Sequence, residues 1–245
     1  MKKSTLCFPA EVVLVRHGQC TGNAADRASY LGDHSLFDSV IRGQKSHLWP
    51  LTQLGIEQSI SAGDWIRKNI ASSFDRYFTS DYVRSIETSD HFGFENSQWE
   101  REILLREREW GGAENLPYSE RNPLFQEFGI SISEDSKHWK PPHGESLATV
   151  TEKVKMFLEK MRTNTPGKKI LLVSHGAPIQ AFRVLQHKID DSKYVDFINK
   201  DWMRNCHIFH YYAPLDTCGN IPQYTMERSV HLDPKGNWIE TVQEI

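Results

Sequence analysis

An α/β layer fold with an edge hairpin near the C-terminus is what the sequence predicts, and three observations predict it. Two short β-branched runs, Glu11-Val-Val-Leu-Val-Arg16 and Lys169-Ile-Leu-Leu-Val-Ser174, resemble each other and read as buried parallel strands. Apolar residues at helical spacing fill much of the sequence between and after them. At the end, residues 206–212 and 223–232 read as two strands joined by a loop holding Pro214, Gly219 and Pro222.

Taken in order, the strand at 11–16 ends in Arg-His-Gly. Thr52 then has the chemistry of an N-cap, with Ile56, Ile60, Gly63, Ile66 and Ile70 on one helical face behind it. Residues 74–80 form a third candidate strand, and Ser80 can cap a helix that carries Arg84 near its start. Ser146 opens a longer helix in which Leu147, Val150, Val154, Phe157, Leu158 and Met161 recur at helical spacing. Asn164, Pro166 and Gly167 stop it. The strand at 169–174 ends in His-Gly, and Pro178 falls in the first turn of the following helix, where its missing N–H costs little. Residues 32–50 have mixed composition and weak periodicity, and are expected to pass over the carboxyl edge of the sheet.

The chain has 245 residues, enough for a core of useful size, and 38% of them are hydrophobic. Twenty-nine Lys and Arg against 32 Asp and Glu give a net charge of −3, without the basic excess of a protein that neutralises nucleic-acid phosphates. No apolar run spans a membrane. Cys7, Cys20, Cys206 and Cys218 are scattered and lack C-x-x-C spacing, which argues against a disulfide framework or a structural zinc site. The Met1-Lys2-Lys3 start mimics the beginning of a signal peptide, but Pro9 and Glu11 break the apolar stretch behind it. A soluble cytoplasmic protein is expected, with neither a nucleic-acid nor a membrane partner.

Chemistry concentrates at two strand ends, Arg16-His17-Gly18 and Ser174-His175-Gly176. Ligands of open α/β sheets bind beyond the carboxyl ends of strands, so both histidines can meet in one cleft. The helix after His175 aims N–H groups at the same place, which suits an anion. The planar forks of Arg16 and Arg84 match phosphate oxygens. Taken singly, each residue has a plainer reading: a hydrogen-bonded structural histidine, a solvated arginine on a helix, or, for Glu107 in Arg106-Glu-Arg-Glu109, a surface charge run. The pairing of the strand ends raises the functional reading above these.

At these motifs the chain resembles the histidine phosphatase superfamily, the phosphoglycerate-mutase-like proteins. The resemblance runs through Leu14-Val-Arg-His-Gly-Gln-Cys-Thr-Gly-Asn23, Pro50-Leu-Thr-Gln-Leu-Gly-Ile-Glu-Gln58, Thr79-Ser-Asp-Tyr-Val-Arg-Ser-Ile-Glu-Thr88, Leu105-Arg-Glu-Arg-Glu-Trp-Gly111, Gly144-Glu-Ser146 and Val173-Ser-His-Gly176. It implies a three-layer α/β/α fold with a mostly parallel central sheet, phosphoglycerate-mutase-like, in one domain over 1–245. Residues 23–50 would form a long loop excursion over the active site. By resemblance His17 is the nucleophile that becomes phosphohistidine. Arg16, Arg84 and His175 surround the phosphoryl group, Asn23 hydrogen-bonds it, and Glu107 gives the proton to the leaving group. The helix N-terminus at Gly176 adds to the phosphate site.

The physics fits these roles. A neutral imidazole attacks only if one ring nitrogen is free and the other N–H is held, and the Gly18 carbonyl is a plausible holder. Two arginines and a second histidine, preferably protonated, stabilise charge on the transferring group, so no metal or other cofactor is needed. Cysteine-phosphatase chemistry fails on spacing: Cys-x5-Arg from Cys20 lands on Asp26, with Arg27 one residue too far. Asp33, His34 and His47 have no strong metal-ligand spacing. Cys20 reads as a small buried packing residue.

The expected function is a metal-independent phosphomonoesterase acting on a small phosphorylated metabolite or a phosphoprotein. Phosphoglycerate mutase and a non-catalytic phospho-ligand binder are the alternatives. The mutases carry a lysine and an adjacent arginine pair after the acid; here only Tyr118, Arg121 and Lys137 follow Glu107, with no such pair. Arg27, His34, Arg42, Lys45 and His47 of the excursion, and Trp49, Trp110 and Trp139, are candidates to contact the rest of a substrate.

Overall fold

The structure is a computed structural model that describes residues 7–117, 119–121, 137–200, 203–214 and 221–245. The seven strands are β1 (Glu11–Arg16), β2 (Arg76–Thr79), β3 (Trp99–Arg101), β4 (Lys169–Ser174), β5 (Ile208–Pro214), β6 (Tyr224–Leu232) and β7 (Trp238–Glu244). Among the described residues the α-helices are α1 (Thr21–Tyr30), α2 (Gln53–Asn69), α3 (Val83–Asp90), α4 (Leu147–Asn164), α5 (Gly176–Gln186) and α6 (Tyr194–Lys200). One mixed sheet runs β3-β2-β4-β1-β5-β6-β7. Its first four strands are parallel and the last three pair antiparallel.

The alternation of side chains across the pleat splits the core into two layers. Val12 and Leu14 of β1, Ile170 and Leu172 of β4 and Phe209 of β5 face α4 and α5, meeting Val154, Phe157, Leu158, Ile179 and Phe182. Val13, Val15, Leu171 and Val173 face the other way, against Ala62, Trp65 and Ile66 of α2 and Phe92 after α3. Helices thus cover both faces, and each fully buried side chain of this size contributes roughly 1.5–3 kcal/mol.

The predicted caps form. Thr52 accepts from the Gly55 N–H at 3.1 Å, and Ser146 from that of Thr149 at 3.1 Å. The buried face of α2 keeps Gly63 and Ile66 of the predicted stripe, with Ile70 packed against the core, but not Ile60. Ile60 is 46% exposed, and the buried positions are Gly55, Ser59, Ala62, Gly63, Trp65 and Ile66. Small residues win because the helix backbone runs against other backbone. A Cβ at Gly55 would lie 2.1 Å from the Gln19 carbonyl, and one at Gly63 2.2 Å from that of Phe92. Gly55→Ala should therefore lower stability by about 1–3 kcal/mol through overpacking. That outweighs the roughly 1 kcal/mol that alanine gains over glycine in a helix. The midpoint of urea unfolding reads the difference.

Residues 23–50 are more helical than the loop that was expected. They contain most of α1, a π-helical turn at Phe37–Ile41 and a 3₁₀ turn at Ser46–Leu48. Ala25, Phe37 and Ile41 form a satellite core with Leu36 and Trp49, which gives the segment its own packing. Near the C-terminus the expected hairpin is β5–β6, and β7 extends it; β3 and β7 had no sequence reading. Tyr118, Cys218, Gly219 and the Met1-Lys2-Lys3 start lie outside the described residues. Cys7 is disulfide-bonded, whereas Cys20 and Cys206 are free. The absence of C-x-x-C spacing says nothing about pairs that the fold brings together. No helix among the described residues is long and apolar enough to cross a membrane.

Candidate active site

Strand register brings the two histidine motifs side by side. Arg16 is in register with Ser174, and Thr79 with Val173, so β1, β4 and β2 finish at one edge of the sheet. His17, His175 and Ser80 are the residues that follow. The imidazoles of His17 and His175 meet edge to face, centroids 5.0 Å apart, and both are buried.

The hydrogen bonds of His17 define its tautomer. Nδ1 lies 2.7 Å from the Gly18 carbonyl, which can only accept, so Nδ1 carries the proton. Arg84 Nε donates to His17 Nε2 at 3.1 Å, and a guanidinium can only donate, so Nε2 holds a lone pair. Burial pushes the imidazole well below its ordinary pKa; Arg84 and Arg16 push it further, against the opposing effect of the Gly18 carbonyl. The ring is a neutral nucleophile candidate.

Arg84 stands in the first turn of α3 and is 4% exposed. Its second anchor is the Ser46 carbonyl at 2.8 Å, so the 23–50 segment reaches the site. Its guanidinium stacks 4.8 Å from the Tyr82 ring centroid. Arg16 donates to the Met203 carbonyl, and its Nε is buried without a partner.

His175 Nε2 lies 2.8 Å from the Ser80 hydroxyl and 3.3 Å from that of Ser85, while its Nδ1 is buried without a partner. Burial lowers its pKa well below the ordinary value, and Arg84, His17, Arg16 and Lys153 add to the shift. This favours the neutral ring over the protonated one that was expected, because the surrounding charges are positive. Ser80 does not cap α3. Tyr82 is at that position, and the Ser80 hydroxyl serves His175.

Glu107 is held from three sides. The N–H groups of Gly176 and Ala177, at the start of α5, donate to it at 3.1 and 3.0 Å, and its neighbour Arg108 donates at 2.9 Å. The Gly176 amide, expected to face phosphate, is thus engaged by this carboxylate, the nearest anion to the helix N-terminus. The charge run around Glu107 is only partly surface: Arg108 is buried and Glu109 exposed. Arg106 forms a bidentate pair with Asp81, at 2.8 and 2.5 Å, which holds the Asp81 carboxyl below its usual pKa. Arg108 is buried, donates to the Glu145 and Trp139 carbonyls, and lies between the rings of Trp110 and Trp139 at 4.6 and 5.3 Å. Ser174 Oγ donates to the Leu105 carbonyl at 2.8 Å, fixing the segment to the end of β4.

Asn23 sits in the first turn of α1. Its Oδ1 accepts from the Cys20 N–H at 3.3 Å and from Asn205 Nδ2 at 3.0 Å. Cys20 donates its thiol to the same oxygen at 3.4 Å, and burial raises its pKa, so it is a protonated packing residue. Of the basic candidates in the excursion, Arg27 and Lys45 are exposed, His34 bonds Ser29 at 3.0 Å and Arg42 pairs with Glu120. Only the His47 ring lies beside a site residue, 6.0 Å from that of Tyr82. Trp49 covers Gly22, where a Cβ would come within 2.1 Å of the indole. Asp33, His34 and His47 form no metal-ligand cluster; among the described residues no three His, Cys, Asp or Glu side chains converge as one. Sequence reasoning missed Ser80, Ser85 and Asn205 as partners of the site.

Comparison with known proteins identifies the family. The family model "Histidine phosphatase superfamily (branch 1)" matches residues 12–208. A 2,3-bisphosphoglycerate-dependent phosphoglycerate mutase of Rhizobium etli is 28% identical over 178 residues, covering 70% of this chain and 78% of that protein. Phosphoserine phosphatase 1 of Hydrogenobacter thermophilus is 25% identical over 194 residues, covering 76% and 81%. Among solved structures, a mycobacterial glucosyl-3-phosphoglycerate phosphatase complexed with VO3 superposes with a TM-score of 0.65 at 17% identity, covering 96% of this chain and 98% of that one. Phosphoserine phosphatase of Entamoeba histolytica, in complex with 3-phosphoglyceric acid, gives 0.61 at 21% identity, covering 82% and 89%. These structural likenesses concern the fold; the family match spans most of the chain, and the protein belongs to the histidine phosphatase superfamily, branch 1.

Proposed function

We propose that the protein is a phosphomonoesterase that hydrolyses a small phosphorylated metabolite through a phosphohistidine on His17, without a metal ion. The observation that carries this reading is the tautomer of His17. Nδ1–H is held by the Gly18 carbonyl, and the Nε2 lone pair faces Arg84 Nε–H.

In the first step the Nε2 lone pair forms the P–N bond while the P–O bond to the leaving group breaks. Arg84 Nε–H, which occupies that lone pair in the structure, passes its hydrogen bond to a phosphoryl oxygen. Arg16 and Arg84 carry charge that grows on the equatorial oxygens. The unpartnered Arg16 Nε is a donor that such an oxygen would satisfy. His175 adds a further donor, and an incoming dianion supplies the negative charge that its surroundings lack. Glu107, which takes up a proton as the dianion enters, gives it to the leaving oxygen. In the second step water attacks phosphorus, Glu107 takes the water's proton, the P–N bond breaks and Nε2 recovers its lone pair.

One observation favours phosphatase over mutase. A mutase needs basic side chains beyond the acid to hold a substrate carboxylate, and here the candidates are committed elsewhere. Arg108 is stacked between two indoles, Arg121 pairs with Asp26 at 2.6 Å and Lys137 with Asp191 at 2.5 Å.

Phosphate release from a panel of phosphomonoesters in chelator, with both phosphoglycerates and phosphoserine included, tests the reading. Wild type should turn over several esters. Glu107→Gln should slow alkyl phosphates by about 10²–10³-fold and aryl phosphates, whose leaving groups need no proton, far less. Activity lost in chelator and restored by metal would refute the metal-free mechanism. Interconversion of 2- and 3-phosphoglycerate without release would point to the mutase.

A further inference from the structure

The residue that sets the phosphate pocket's polarity comes from the far end of the chain. Asn205 lies in the turn before β5, and its side-chain nitrogen makes two bonds, to the His17 carbonyl at 3.1 Å and to Asn23 Oδ1 at 3.0 Å. Chemistry fixes which atom is which. The Cys20 N–H can only donate, so the Asn23 atom it meets is the oxygen. The Asn205 atom facing that oxygen is then the nitrogen. The same nitrogen faces a backbone carbonyl, which also requires a donor. Both of its protons are used, and Asn23 is left with its own amide nitrogen as the group on offer to a ligand.

The turn around Asn205 grips the same strand end elsewhere. The Cys206 N–H reaches the carbonyls of Arg16 at 3.0 Å and His17 at 3.3 Å, from a left-handed backbone with φ 52°. The Met203 carbonyl receives the Arg16 guanidinium. The Arg16 N–H donates to the His207 carbonyl at 3.0 Å. Among the described residues of this turn, Asn205 joins the backbone of His17 to the side chain of Asn23.

We infer that Asn205 is a positioning residue that holds Asn23 as a hydrogen-bond donor toward phosphate and fixes the backbone carbonyl of His17. It touches no reacting atom. Without its N–H groups, the Asn23 oxygen keeps only the longer bonds from the Cys20 N–H and thiol, at 3.3 and 3.4 Å, and a flipped amide presents an oxygen to an anion, which repels where it should bind. The inference rests on the reading of the site as a phosphate pocket.

A double-mutant cycle with inorganic phosphate as the probe tests it, read as competitive inhibition of phosphomonoester hydrolysis alongside kcat and KM. Asn205→Ala should weaken phosphate binding about tenfold in the wild-type background, and by less than about twofold in Asn23→Ala, where there is no amide left to orient. Asn205→Asp, which offers acceptors in place of donors, should cost about 100-fold in kcat/KM, with KM carrying much of it. Thermal unfolding of each variant separates this from loss of fold. Asn205→Ser, a smaller donor, should recover part of the affinity and serves if Asn205→Asp does not fold. Equal losses in both Asn23 backgrounds, or phosphate affinity unchanged in Asn205→Ala, would overturn the inference. Wild-type protein that hydrolyses esters but is not inhibited by phosphate would refute the pocket reading as well.

Discussion

His17→Ala is expected to lose turnover by at least about 10⁴-fold while still binding phosphate within about tenfold of wild type. The two halves follow from separate parts of the site. The substitution removes the only atom placed to form the P–N bond, so no neighbouring group inherits the chemistry. His175 does not substitute in this mechanism, because it donates through Nδ1, the nitrogen left by the Ser80 and Ser85 hydroxyls at Nε2, and a protonated Nδ1 has no lone pair to attack with. Phosphate binding survives because Arg16, Arg84 and Asn23 keep anchors that do not pass through the imidazole. Arg16 is held by the Met203 carbonyl, Arg84 by the Ser46 carbonyl, and Asn23 by Cys20 and Asn205. Steady-state turnover and phosphate inhibition, measured on the same variant, check both halves.

Arg84→Ala has the second-largest expected effect, and its pH dependence distinguishes charge from geometry. Removing a guanidinium that stabilises the transferring phosphoryl group should lower kcat/KM by about 10³-fold. The acid limb should move as well. Burial, Arg84 and Arg16, in that order, push His17 well below its ordinary value, and the proposed mechanism uses the neutral ring as nucleophile. Wild-type kcat/KM should therefore stay level as pH falls through 6.5, the ordinary histidine value, and turn down only well below it. Without Arg84 one depressing charge is gone, His17 takes up its proton at higher pH, and the turn moves upward. Arg84→Lys retains the charge, so the limb should stay low. Its rate should remain depressed, because an ammonium has no fixed fork to span His17 Nε2 and the Ser46 carbonyl at 3.1 and 2.8 Å. A pH profile of kcat/KM for the three proteins gives the answer.

Those expectations rest on residues that the sequence made legible to different degrees. The strands that deliver His17 and His175 could be read because the middle of each, residues 12–15 and 170–173, is buried on both faces and therefore apolar. Thr52 and Ser146 could be read because a cap is a contact three residues long. β7 could not, since all but its first residue are exposed and its place is set by pairing with β6. β3 is three residues long and is defined by its neighbour β2. α1 escaped because its N-cap is Cys20, an unusual capping residue, and most of the helix is polar. On α2 the predicted face held at Gly63, Ile66 and Ile70 and failed at Ile60, because close backbone approach selects glycine and serine at Gly55 and Ser59 instead.

The site divides in the same way. His17, Arg84 and His175 follow strand ends or sit in a first helical turn, positions that local sequence can suggest. Ser80 and Asn205 act through partners 95 and 188 residues away, and no local pattern encodes such a contact. Glu107 stood in a charge run that reads as solvated surface. In the fold its neighbours Arg106 and Arg108 are held by Asp81 and by the Glu145 carbonyl, and Arg108 is buried.

The central claim is a covalent phosphoryl group on His17, and the intact mass of the protein quenched during turnover tests it most directly. A phosphohistidine survives alkali and is lost in acid. Wild type quenched in alkali should carry one added HPO3, mapped to the peptide containing His17 and absent after acid treatment, and His17→Ala should carry none. The same added mass on His17→Ala, together with continued release of phosphate, would contradict the account.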